Sequence, residues 1–147
     1  MSVKPQAFES FHASSAAILI FCKAPIPGQV KTRLTTAISP EAAAEIHIQL
    51  ARQTLAMITG AKVCPVQLWC SPDTEHAFFQ NSASAYGVSL HQQQGVDLGV
   101  RMDAAFACAL AQFQSVLLVG CDCPSLKPEH FIDRSEEHTS ELQSHLN

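Results

Sequence analysis

The chain has 147 residues, of which 47% are hydrophobic and 15% charged, with a formal net charge of −4. That length suggests one domain, and the apolar content is enough for a real core and too high for a disordered chain. The acidic balance excludes the general basic face of a nucleic-acid binder, and no apolar run approaches the roughly 20 residues of a membrane-spanning helix.

Residues 1–15 are polar and mixed and are read as a flexible segment ahead of the domain. They lack the basic start, long apolar stretch and small-residue cleavage site of a secretory signal, so the protein is expected to be cytoplasmic. Six cysteines stand at 22, 64, 70, 108, 121 and 123, mostly inside apolar runs where a free thiol behaves as a small hydrophobe. Cys121 and Cys123 bracket Asp122 without forming a CxxC pair, so the spacing gives no zinc pattern.

Ala17 to Cys22 is a short branched apolar run, the mark of a strand buried on both faces of a parallel sheet. Lys23 to Lys31 holds Pro25, Pro27 and Gly28 and is a loop. Ser39-Pro40 starts a helix, with Ser as the N-cap and Pro at the first helical position. Ile46, Leu50, Ala51, Leu55 and Ile58 form its apolar stripe, and Gly60 is expected to stop it. Val63 to Cys70 is a second strand with an irregular start at Pro65. A short helix is expected from Ser71-Pro72-Asp73 to about Phe79, and Gly87 to His91 is a weak third strand.

The stripe Leu98, Met102, Ala105, Phe106, Ala109, Leu110 and Phe113 predicts a further helix, with Asp97 as its cap. Val116 to Val119 is a fourth buried strand, and Pro128 is expected to begin a last helix. Strands alternating with helices predict a mostly parallel sheet with helices on both faces, a Rossmann-like three-layer α/β/α sandwich. Such sheets bind ligands beyond the carboxyl ends of their strands.

Two of the most distinctive segments fall just there. Lys23-Ala-Pro-Ile-Pro-Gly-Gln-Val-Lys-Thr-Arg-Leu34 combines a glycine with Lys and Arg, which suits phosphate: Arg grips two oxygens at once and Lys acts as a point charge. It is neither a Walker A loop, because Val30 precedes Lys31, nor a GxGxxG turn. The alternative is a proline-rigid loop with solvated basic side chains. Gly120-Cys-Asp-Cys-Pro-Ser-Leu126 places Asp122 after a buried strand, where it can hold a divalent cation or simply cap the next helix. A third segment, Gln94 to Met102, puts Arg101 in the first turn of a helix, where an anion site is plausible, while Asp97 there caps the helix or contacts a ligand. The histidines, His47 aside, show no ligand spacing near these loops and are read as solvated surface residues. Cys22 and Cys121 are expected to come near each other in space, with neither marked as a nucleophile.

The last stretch, from Arg134 (Arg-Ser-Glu-Glu-His-Thr-Ser-Glu-Leu-Gln-Ser-His) to Asn147, has no apolar periodicity. It resembles a common short-read sequencing adapter translated in frame, so residues 134–147 are expected to be a non-native tail, and residues 16–133 a partial domain whose last strands are missing. Losing them would expose a sheet edge, so this chain is expected to be inactive and poorly soluble.

Phe21-Cys-Lys-Ala-Pro-Ile-Pro-Gly-Gln-Val-Lys-Thr-Arg-Leu34, Asp97-Leu-Gly-Val-Arg-Met102 and Gly120-Cys-Asp-Cys-Pro-Ser-Leu126, in that order, resemble the motifs of a bacterial family with the glycosyltransferase-A-like (nucleotide-diphosphosugar transferase) fold. The family is long catalogued as a domain of unknown function, with some members assigned as glycosyltransferases of arsenosugar biosynthesis. The resemblance implies a nucleotide-sugar donor and a small acceptor. It implies phosphate or nucleotide contacts from Lys23, Gly28, Lys31, Arg33, Asp97 and Arg101, and a metal-binding acid, Asp122, for Mg²⁺ or Mn²⁺. The usual Asp-x-Asp pair is incomplete, because position 124 is Pro. A guanylyltransferase-like nucleotidyltransferase of a cofactor pathway, with a similar Lys-Thr-Arg-Leu loop, is the nearest alternative, and a non-catalytic nucleotide-binding module a second. No general base stands out, and the oligomeric state is left open.

Overall fold

A computed structural model describes residues 15–122 and 130–133. The two flanking segments, and the 123–126 part of the Gly120 loop, lie outside the described residues. Among the described residues, five strands form one sheet: β1 (Ala16–Lys23), β2 (Val66–Ser71), β3 (Ser89–Gln92), β4 (Ser115–Gly120) and β5 (His130–Asp133). Three α-helices connect them: α1 (Pro40–Ala61), α2 (Ala77–Tyr86) and α3 (Leu98–Leu110). The sheet order is β3-β2-β1-β4-β5, parallel except for β5, which runs antiparallel to β4.

The period-two geometry of a strand sends alternate residues to opposite faces, and both faces are apolar here. Ile20 and Cys22 of β1, Leu68 and Cys70 of β2, and Val119 of β4 pack with Leu55 and Ile58 of α1 and Phe78 and Phe79 of α2. Leu19 and Phe21 of β1, Trp69 of β2, and Val116 and Leu118 of β4 pack with Ala105, Phe106 and Ala109 of α3. The result is three layers, with α1 and α2 on one face and α3 on the other, as the sequence predicts.

Several local expectations are corrected. Helix α1 continues through Gly60 and ends where Lys62 adopts a left-handed conformation (φ 54°). Its buried face is Ala43, Ala44, His47, Ala51, Thr54, Leu55 and Ile58, so Ile46 and Leu50 lie beside the stripe rather than on it. Ser71-Pro72-Asp73 does not open α2. Asp73 Oδ1 accepts from the Glu75 amide to close a local turn, and the helix starts four residues later, where His76 accepts from the Phe78 amide. In α3, Asp97 caps as expected, its Oδ1 accepting from the Val100 amide at 2.9 Å, but Leu98 is largely exposed. Residues 130–133 form a strand, not the helix expected from Pro128.

Candidate functional site

Chain order and sheet order part company at β1. β2 and β3 are added on one side of it, and β4 lands on the other. This reversal opens a crevice between the carboxyl ends of β1 and β4, the place where open α/β sheets bind ligands. Residues remote in sequence meet here because the strands are in register: Phe21 pairs with Gly120, and the Cys121 amide extends the ladder by donating to the Phe21 carbonyl at 3.0 Å.

After β1 the chain turns sharply. The Ala24 amide donates to the Ser71 carbonyl, and the Gln29 amide donates to the Ile26 carbonyl. Gly28 sits at φ 86°, a conformation that favours glycine, and Val30 is buried beneath the loop. Lys31 is also left-handed (φ 52°), uncommon for a side chain of its size, and a 3₁₀ turn follows at Thr32–Thr36.

The crevice has a volume of about 400 Å³, and its lining includes Lys23, Lys31, Arg33, His47, Cys121 and Asp122. Among the described residues lining it, Asp122 is the only acid. Lys31 Nζ donates to Asp122 Oδ2 at 2.9 Å, with the Asp122 side chain half exposed. The ammonium holds the Asp122 carboxyl below the usual carboxylate range, against the opposing effect of partial burial.

The structure brings Lys23, Lys31, Arg33 and Asp122, all candidates from the sequence, around one crevice. Gly28 shapes the loop but does not line the crevice. Arg101 lies on the other side of β1. It lines a hollow of about 240 Å³ with Phe21, Lys23, Ser71, Gln93 and Leu98, so Lys23 borders both spaces. Arg101 is held by its Nε donating to the Gly95 carbonyl at 3.0 Å and by a longer contact, 3.5 Å, from Nη1 to Ser71 Oγ. Gly95 is at φ 142°, and a Cβ there would meet Val100 Cγ1 at 2.7 Å and the Arg101 amide nitrogen at 2.9 Å. Asp97 is engaged in its cap, next to this hollow rather than in it.

Sequence reasoning gave no role to His47, among other residues of the crevice. His47 is buried on the inner face of α1, and its Nε2 is 2.8 Å from the Lys23 carbonyl. Burial pushes its imidazole pKa down, so it is held neutral and donates that bond. Its spacing was the available signal, since it stands four residues from both Ala43 and Ala51 on one helical stripe. His91, read as a surface histidine, is half-buried: it stacks on Trp69 with ring centroids 4.8 Å apart, and burial pushes its imidazole pKa down. Cys22 and Cys121 do come together, and their mutual hydrogen bond, then burial, raises the Cys22 thiol well above its ordinary value.

Among the described residues no helix is long and apolar enough to cross a membrane. The chain matches no curated protein. It is similar to a crystal structure from Desulfovibrio desulfuricans G20, provisionally named a nucleotide-diphospho-sugar transferase, with 27% identity and a TM-score of 0.63. The similarity covers 87% of this chain, which spans 54% of that protein's length. The fold is thus the α/β, mostly parallel, glycosyltransferase-A-like type. Residues 54–139 match a family model described as "Uncharacterized protein conserved in bacteria (DUF2064)", and the chain belongs to that family.

Proposed function

We propose that the whole protein transfers a sugar from a nucleotide-diphosphate donor to a small acceptor, with the donor's diphosphate bound in the crevice between β1 and β4. The observation that carries this reading is the convergence of Lys23, Lys31 and Arg33 with Asp122 around one cleft at the sheet's reversal point. The similarity to the nucleotide-diphospho-sugar transferase-like protein from Desulfovibrio supports the reaction class.

In this reading Lys31 and Arg33 contact the phosphates, Lys31 as a point charge and Arg33 as a two-pronged donor. Lys23, bordering both hollows, bridges the phosphate side to the Arg101 side. Arg101 contacts the rest of the nucleotide, and Asp97 acts through the cap that fixes the start of α3. Asp122 fits a hard divalent cation in one respect: Mg²⁺ commonly binds through one or two carboxylates together with substrate phosphates, and Asp122 is a half-exposed carboxylate facing a cleft of about 400 Å³ lined by Lys and Arg. Asp122 would hold such an ion, whose charge would offset that of the departing nucleoside diphosphate. The basic loop does the same from fixed positions, where preorganised charge is most effective.

The test is a thermal-shift screen of the full-length protein against UDP-, GDP- and ADP-sugars and the free triphosphates, with and without Mg²⁺ or Mn²⁺. Stabilisation by one nucleotide sugar, lost in Lys31→Ala and Asp122→Ala, is the expected result. Stabilisation by a triphosphate alone, with pyrophosphate release, moves the assignment to nucleotidyl transfer. Binding with no turnover of any acceptor leaves a nucleotide-binding module, and no shift with any ligand sinks the reading.

A further inference from the structure

Beside the basic cleft two cysteine sulfurs and one imidazole nitrogen converge from three separate elements. Cys22 comes from the end of β1, Cys121 from the turn after β4 and His47 from the inner face of α1. Their two sulfurs and one imidazole nitrogen all lie within 4.8 Å of one another. All three residues are buried, at 2% exposure for Cys22 and 5% for each of the others.

We propose that Cys22, His47 and Cys121 form a binding site for a thiophilic divalent cation of the zinc class. Geometry is the first argument. Zinc bonds of about 2.3 Å to sulfur and about 2.0 Å to nitrogen, at tetrahedral angles, separate a ligating sulfur from a ligating nitrogen by roughly 3.6 Å. Cys22 Sγ and His47 Nε2 are 3.9 Å apart, so a small shift closes the cage. Donor chemistry is the second: two thiolates and an imidazole select zinc-like ions over Mg²⁺ or Ca²⁺, which prefer oxygen. This separates the site from the neighbouring carboxylate of Asp122, which is paired with Lys31.

Access is the third argument. His47 and Cys121 line the cleft, so the ion has a way in and its fourth position is left to water or another ligand from the cleft. Loading releases one proton from each thiol, and His47 Nε2 exchanges its bond to the Lys23 carbonyl for the metal, its ring proton moving to Nδ1. The site would thus tie the end of β1, the Asp122 turn and α1 to one centre. Sequence spacing hides it because its ligands stand at 22, 47 and 121.

The proposal needs no nucleotide, so its outcome is independent of the function proposed above. The test is titration of the reduced chain with Co²⁺, followed by displacement with Zn²⁺. The expected result is a one-to-one complex with thiolate-to-cobalt charge-transfer and tetrahedral d–d absorption. Both signals are lost in Cys22→Ser and in His47→Gln and kept in Cys108→Ser, which removes an exposed cysteine. No thiolate band, or one that survives in Cys22→Ser, overturns the site. Should those variants fail to fold, X-ray absorption of the zinc-loaded wild-type chain decides instead. Two sulfurs at about 2.3 Å with imidazole nitrogen at about 2.0 Å support the site, and a shell of oxygen and nitrogen alone refutes it.

Discussion

The ammonium of Lys31 sits 2.9 Å from Asp122 Oδ2, across 91 residues of sequence and from one wall of the crevice to the other. A donor's phosphates would compete with Asp122 for Lys31. Lys31→Ala is therefore expected to weaken nucleotide binding at least tenfold by calorimetry. Its effect on folding should stay within about 1 kcal/mol, because partly exposed ion pairs contribute little. The carboxyl of Asp122 titrates below its ordinary range, so the pair's stabilisation is present above that range and is lost as pH falls through the lowered value. Urea unfolding at acidic pH should show this small loss in the wild type and not in Lys31→Ala.

Gly95→Ala is expected to destabilise the protein by about 1–3 kcal/mol. The new methyl would meet Val100 Cγ1 at 2.7 Å and the Arg101 backbone nitrogen at 2.9 Å, and the backbone neighbour has little room to move. Denaturant midpoints measure the effect. Gly28→Ala meets no atom within 4 Å and carries only its backbone penalty, so it should be the milder change of the two.

Asp97 offers a separation of capping from ligand contact. Asp97→Ala should lower stability by about 1 kcal/mol, and Asp97→Asn should restore it, since Asn caps as well as Asp. If Asp97→Asn restores stability yet abolishes nucleotide binding, the carboxylate touches the ligand directly.

Stability should also fall as pH drops below the ordinary imidazole value of 6.5. Burial lowers the His91 pKa, so in this window the unfolded chain takes up a proton that the folded chain resists. The loss levels off once pH passes the lowered folded value. His91→Gln should flatten part of this slope in chemical denaturation. Part should remain, because His47 is shifted the same way by burial.

Phe79 is fully buried between α2 and the sheet, against Phe78 and His76. Phe79→Ala is expected to cost about 3–5 kcal/mol. Met57, on the outer side of α1, should tolerate alanine within about 0.5 kcal/mol. Equal effects would mean the two faces of the core are assigned wrongly.

Much of this layout was legible in the residues. The runs Ala17 to Cys22 and Val116 to Val119 are short, branched and apolar at every position, as a strand covered on both faces requires, and Ser39-Pro40 carries its helix start on its face. Both basic and acidic loops follow strands, so their meeting needed only the right strand order. Where the reading failed, a local signal was claimed by a different partner. Asp73 spent its oxygen on a turn, and the stop expected at Gly60 falls instead at Lys62, whose left-handed backbone ends α1. The strand His130–Asp133 is four residues long, too short for any periodicity to show. The burial of His47 and the approach of Cys22 to Cys121 depend on packing between elements, which no local pattern encodes.

The chain's single tryptophan, Trp69, packs on the α3 face of the sheet, 6.5 Å from Phe21 and stacked on His91, with its indole nitrogen donating to Gln67 Oε1 at 2.9 Å. The chain thus carries one indole and a single tyrosine, Tyr86, and that indole is rooted in β2 and leans on the strand whose end forms the crevice. Its emission should report from one place on the melting of the sheet, the charging of His91 and movement at the end of β1, without any introduced label.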